Sequence, residues 1–223
     1  MAASANRKKP DGTEEGFDQA ARQYWRLRQD VLDGAFPAGA VLMETALSAE
    51  YGASRTPIRE ALALLEHDGL LERAVRGYRV RAGRPEDVVE IYEARLALES
   101  EAAATAALRH TDLDIARLEH HHRQCCGSAA DDEVRAGNFR FHEALWEAGH
   151  NATITGLLVK LTAQLRIYDS GPPRAYGDFD TLNTEHERIL RALRDRSPDD
   201  ARAAMRAHLQ RSLEQRIRLT LEG

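Results

Sequence analysis

From Leu47 to Gly69 the chain reads LSAEYGASRTPIREALALLEHDG, two short runs with apolar residues at helical spacing, broken by a turn and closed by a glycine. In the second run Ile58, Ala61, Leu62 and Leu65 make one apolar face, and Arg55, Thr56 and Arg59 stand at or before the first turn on the other side. Thr56 suits the cap and Pro57 the first helical position, so the start of this helix is sharply marked. The two runs predict a helix-turn-helix. Past Gly69, Leu70-Leu71-Glu72 returns through Arg76-Gly77 to Tyr78-Arg79-Val80 and predicts a two-stranded wing. Upstream, Ala21, Tyr24, Trp25, Leu27, Arg28, Val31 and Leu32 give a helix over about 17–32 that covers this motif, and Val41-Leu42-Met43 is a candidate short strand. Residues 1–16, polar with mixed charge, predict a disordered tail.

Beyond Gly83-Arg84-Pro85 the period is helical almost throughout, with segments of about 85–109, 112–128, 131–149, 151–169, 179–195 and 198–221. Ser197-Pro198-Asp199-Asp200 is a capped start with acids where the helix dipole favours them. The predicted fold is mainly α: a winged helix-turn-helix over 17–82, then an all-helical antiparallel bundle over 85–223.

At 223 residues, 43% hydrophobic and 30% charged, the chain has room for two ordinary domains. No apolar run approaches a membrane span and the N-terminus has no apolar signal core, so we expect a cytoplasmic protein with no membrane partner. Adjacent Cys125 and Cys126 match neither a CxxC nor a scaffold spacing and read as incidental thiols. The net charge of −5 argues against a polyanion partner until it is divided: 13 basic against 12 acidic side chains up to residue 84, and 18 against 24 thereafter. Arg73, Arg76, Arg79, Arg81 and Arg84 lie in one stretch without an acid, which beside a recognition helix predicts phosphate contacts and binding that weakens steeply with salt.

In helix-turn-helix docking the first residues of the second helix reach base edges in the major groove, and arginine pairs bidentately with guanine at roughly 1–3 kcal/mol of discrimination. Arg55 and Arg59 are placed for that role. The string SRTPIREAL, the GAFPAG turn and RGYRV, together spanning about Tyr24 to Arg81, resemble the winged N-terminal domain of the GntR family of bacterial transcription regulators. The resemblance implies a double-stranded DNA operator with an inverted repeat, bound by a homodimer through Ser54, Arg55, Thr56, Arg59 and the wing residues Arg76 and Gly77.

Among nine histidines, His142, His186 and His208 each sit on or beside an apolar stripe, on three different helices, and Asn138 lies one turn before His142. If those helices converge, three imidazoles and an amide oxygen can surround one divalent cation. Consecutive His120, His121 and His122 splay around a helix and read as surface, and His67, His110 and His150 have no partner at this level. The segments FxxHExLxxxxxN, EHxxILxAL and DxxxAxxAMxxHL, with RLALExxAAxxAA from Arg95, are similar to the FCD effector-binding domain of the FadR-type branch of that family. The similarity implies that residues 85–223 bind an effector and dimerise, and that a divalent metal (zinc, nickel or manganese) on His142, His186 and His208 holds the carboxylate of a small organic acid. The family's aspartate position falls on Asn138, which removes one negative charge, and Arg95 matches a cavity-facing arginine, with an ion pair to Glu99 as its structural alternative.

The expected function is therefore a DNA-binding regulator, repressor or activator alike, whose operator affinity a carboxylate effector controls. The alternative is an effector-independent DNA-binding dimer with a vestigial metal site. A zinc hydrolase would want HExxH, but Trp146 stands where the second histidine belongs, so no catalytic residue is expected.

Overall fold

Helix α1 (Gly12–Leu32) packs along α3 (Arg55–His67), burying Leu27 and Val31 of one helix and Ile58, Leu62 and Leu65 of the other. The computed structural model describes residues 12–126, 131–168 and 179–221. Those residues fall into two units, one ending at Ala82 and the other beginning at Gly83. Helix α1 starts at Gly12 rather than Phe17, because polar residues lengthen a helix without adding to its apolar stripe; the rest of the predicted tail, 1–11, lies outside the described residues. Trp25, read as part of that stripe, is exposed and meets Tyr24 edge-on with ring centres 5.0 Å apart.

Between α1 and α3 come β1 (Val41–Leu42) and α2 (Glu44–Tyr51); β2 (Leu71–Arg73) and β3 (Tyr78–Val80) follow α3. The wing has three strands rather than two, in the antiparallel order β1-β3-β2, with Leu42 opposite Tyr78 and Leu71 opposite Val80. Two residues of β1 are too short a run to announce a pairing partner, yet they cover the free edge of β3. Tyr78 and Val80 point inward and Arg79 outward, the period-two alternation of a half-buried strand. Tyr24 donates a hydrogen bond to Asp68 at 2.5 Å, and Tyr51 donates one to Asp30, tying α1 to both arms of the helix-turn-helix.

The second unit comprises α4 (Pro85–Arg109), α5 (Asp112–Cys126), α6 (Asp131–Ala148), α7 (Ala152–Tyr168), α8 (Phe179–Arg194) and α9 (Pro198–Leu221). Helix α4 packs against α6, α7, α8 and α9. Its buried residues include Ala102, Ala103, Ala106 and Ala107, whose small side chains let several helices approach one axis. Trp146, Phe141, Leu145, Leu158, Leu193 and Met205 fill the core around them. Cys125 is buried beside Val134 and Leu182 and turns its Sγ to the Val134 carbonyl oxygen at 3.6 Å. Asn151 accepts the amide of Ile154 at 3.2 Å to start α7. At the head of the unit Gly83 lies so close to the ring of Tyr168 that a Cβ there would stand 2.0 Å from it.

Gly77, at φ +75, is the tight point of the wing: a Cβ added there would meet the Leu42 carbonyl oxygen at 2.3 Å. Gly77→Ala is expected to lower the stability of the N-terminal unit by about 2 kcal/mol, read as a drop in thermal midpoint, through strain and loss of the β1–β3 pairing.

Candidate functional sites

The first site is the start of α3. Its N-cap is Ser54, at φ −68 and ψ 162, so the helix begins at Arg55, and Thr56 and Pro57 lie inside the first turn. The cap is therefore not Thr56 nor the first position Pro57; a proline without an N–H is tolerated anywhere in a turn whose amides have no helical acceptor. Ser54, Arg55, Thr56 and Arg59 are exposed, while Pro57 and Ile58 are buried and anchor the end that carries them. Arg59 makes a long 3.4 Å ion pair with Glu44 of α2. On the wing Arg76 is exposed and Gly77 partly buried. The run that is free of acids in sequence meets them in space: Arg73 pairs with Glu66 at 3.1 Å and lies over the Tyr78 ring, Arg79 faces Glu72 at 3.8 Å, and Arg84 pairs with Asp87 at 2.9 Å.

The second site is deep in the helical unit. His142 of α6, His186 of α8 and His208 of α9 are 3%, 0% and 1% exposed, and one nitrogen from each lies within 4.8 Å of the others. His142 turns Nδ1 to Glu99 at 2.7 Å, and His208 turns Nδ1 to Glu185 at 2.8 Å. An imidazole facing a carboxylate places its N–H there, which leaves the Nε2 lone pairs of the two rings facing each other at 3.0 Å. Two acceptors at that distance repel unless a proton or a cation lies between them. His186 stacks on Phe141, ring centres 4.0 Å apart and planes 11° from parallel. Neither of its ring nitrogens has a hydrogen-bond partner among the described residues, an open need in a buried polar group.

Two carboxylates hold this arrangement. Glu99, fully buried, accepts from Arg95 Nε at 2.7 Å and Trp146 Nε1 at 2.9 Å as well as from His142. Burial alone would raise its pKa, but Arg95 and His142 overcome that and hold it at about 2. Burial opposes the charge of Glu185 too, and there His208 and Arg211 win, keeping its pKa below the usual range; Arg211 meets it at 2.6 and 2.7 Å. Burial drives His208 down to about 4 against the pull of Glu185, and drives His186 well below the ordinary histidine value.

Three of the residues singled out from sequence thus meet in space. Asn138 lies on α6 one turn before His142, half-buried. Arg95 takes the pairing with Glu99 and reaches the histidines through it. Sequence reasoning passed over Glu99 and Glu185 as carboxylate supports, because nothing in their spacing says which histidine each will face. His122, read as surface, is half-buried with its ring centre 5.8 Å from that of His186. His110 and His150 also have partners, the Leu193 carbonyl at 2.9 Å and Asp114 at 3.1 Å. These pairings span distant helices, which local spacing cannot reveal. Tyr176 and the Gly171-Pro172-Pro173 cluster lie outside the described residues.

The family model for bacterial regulatory proteins of the gntR family matches residues 19–78, and that for the FCD domain matches residues 90–211. An uncharacterized HTH-type transcriptional regulator of Bacillus subtilis, YdhC, is 30% identical over 90% of this chain and 92% of its own length. A putative L-lactate dehydrogenase operon regulatory protein of Escherichia coli is 31% identical over 82% of this chain and 81% of its own. The solved structure of Escherichia coli McbR/YncC, at 20% identity, covers 91% of this chain and 98% of its own with a TM-score of 0.74, a likeness of fold. No helix among the described residues is long and apolar enough to cross a membrane.

The neutral state of His208 has a consequence for acid stability. Its folded pKa of about 4 lies below the value of 6.5 it has when unfolded, so the unfolded chain takes up a proton first as pH falls. Stability is therefore lost from about pH 6.5 downward, and the loss is complete below about pH 4, where both states hold the proton. Urea midpoints of the metal-free protein are expected to fall between pH 7 and pH 4, and His208→Asn is expected to flatten that fall.

Proposed function

We propose that this DNA-binding transcriptional regulator, which belongs to the GntR family of bacterial regulatory proteins and carries an FCD domain as its second unit, has its operator affinity set by a small organic acid held through a divalent metal in that unit. The observation that carries the proposal is the pair of facing Nε2 lone pairs at 3.0 Å beside a third imidazole with both nitrogens unpartnered. Neutral, buried imidazoles suit zinc or nickel, and manganese is served better as oxygen donors are added.

His142, His186 and His208 would hold the ion, with Asn138 bringing an oxygen but no charge. Glu99 and Glu185 fix the tautomer and orientation of two of the three rings before any ion arrives. The ion, once bound, offers an open position to a carboxylate. On the first unit Arg55 and Arg59 would read guanine edges, and Ser54, Thr56, Arg76 and Gly77 would meet the backbone, in a dimer on an inverted repeat in the cytoplasm. An acid changes operator affinity only by preferring one arrangement of the protein over another. Relatives named for the operons they regulate support this role.

Calorimetry and gel shifts check the proposal. Zinc titrated by calorimetry into the metal-free chain is expected to bind at one site per chain, with Glu185→Gln weakening it roughly 10- to 100-fold and His186→Ala weakening it more. Asn138→Asp is expected to tighten it. In gel shifts at low ionic strength Arg59→Ala is expected to cost about 1–3 kcal/mol against the cognate operator. Stoichiometric zinc absent from the wild type, or operator binding indifferent to every acid that raises its melting temperature, would refute the control by metal and acid.

A further inference from the structure

We infer that Glu44, at the start of α2, sets part of the sequence preference of this DNA-binding protein: it holds the Arg59 guanidinium by its Nε, so that the two Nη groups are left to read one guanine. The inference rests on the reading of Arg59 given above and adds the residue that aims it.

Glu44 is the first residue of α2, behind an extended Met43, and its side chain is 25% exposed against 59% for Arg59. The acid is the fixed half of the pair and the arginine the moving half. Met43 lies against the wing turn, where its sulfur would stand 3.2 Å from a Cβ on Gly77. The backbone that carries Glu44 is thus backed by the wing, while its carboxylate crosses to α3.

That contact is made to Nε alone, 3.4 Å from Oε2. A guanidinium carries its N–H groups in one plane, and with Nε engaged the end-on edge formed by the two Nη atoms still matches guanine O6 and N7. Arg59 has no other partner among the described residues, so this edge is open. Arg55, one turn earlier on the same helix, has no acid against it among the described residues. The two arginines of this face therefore differ, one aimed and one free to turn to a phosphate.

A carboxylate here is otherwise a liability, because it repels the phosphates of every duplex alike. What it supplies is selectivity. An arginine fixed beforehand loses less freedom on meeting its base, and it swings less readily to a phosphate when the base is wrong.

The test takes the operator that the wild-type chain selects from random duplexes. Fluorescence anisotropy then measures affinity for it, for its single-base variants and for an unrelated duplex. Arg59→Ala identifies the guanine that Arg59 reads. Glu44→Ala is expected to lose about tenfold of the preference for that same guanine over adenine, while binding to the unrelated duplex holds or rises up to about threefold. In the double variant the two losses should be less than additive, and Glu44→Gln, which keeps the length and an acceptor oxygen, should retain part of the preference. A purely structural role would weaken every duplex in proportion, and that result overturns the inference. So does a loss at a different base pair, additive with that of Arg59→Ala, which would make Glu44 a base contact in its own right. If the Glu44 variants keep every base preference and Arg59→Ala does not, the brace falls and the reading of Arg59 stands. If the wild-type chain enriches no sequence, or Arg59→Ala leaves every base preference intact, the two fall together.

Discussion

A carboxylate with no exposure to water needs an opposite charge or a donor for each lone pair, and Glu99 finds them on two helices: Arg95 one turn away on α4, and His142 and Trp146 on α6. Removing any one partner leaves charge or a donor stranded in the core, so the four groups fix the relation of α4 to α6 more stringently than apolar packing, which tolerates sliding. His142 is thereby locked with its free nitrogen toward His208. On the opposite side Glu185 and Arg211 do the same for His208, and the third ring is set by stacking on Phe141. The triad is preorganised by groups that never touch its centre.

The N-terminal unit solves a different problem, how to present cations without losing the core behind them. Pro57, Ile58, Ala61, Leu62 and Leu65 bury one side of α3 while Arg55 and Arg59 stay in water on the other. The wing's arginines are separated by Glu66 of α3, by Glu72 of the neighbouring strand and by the Tyr78 ring, which keeps the run from repelling itself in the absence of a polyanion. Glu44 plays that part for Arg59.

Much of this was legible in the chain. Amphipathic periods located α3 and the six helices of the second unit, because each buries one stripe against a neighbour and the stripe is written locally. The approach of His142, His186 and His208 could be suspected from three apolar faces and the family resemblance. What local spacing could not carry were partnerships across the fold. Glu99 was visible as a candidate partner for Arg95 at one turn's distance, but its bond to His142 spans 43 positions. His122 resembled a surface residue because three adjacent histidines cover most of a helix, and only the packing of α5 on α6 and α8 decides which of them turns inward. Ser54 displaced Thr56 as the cap because the polar string allows either, and the choice follows from which residue keeps extended backbone.

The ring of Tyr168 against Gly83 joins the end of α7 to the first residue of the helical unit. Anyone building chimaeras, fitting a different N-terminal unit onto these helices, has a natural splice point: the junction belongs upstream of Gly83, with glycine and tyrosine inherited together from the helical unit. A cut placed two or three residues later would import a side chain where the aromatic face leaves no room, and the hybrid would begin life with a damaged seam.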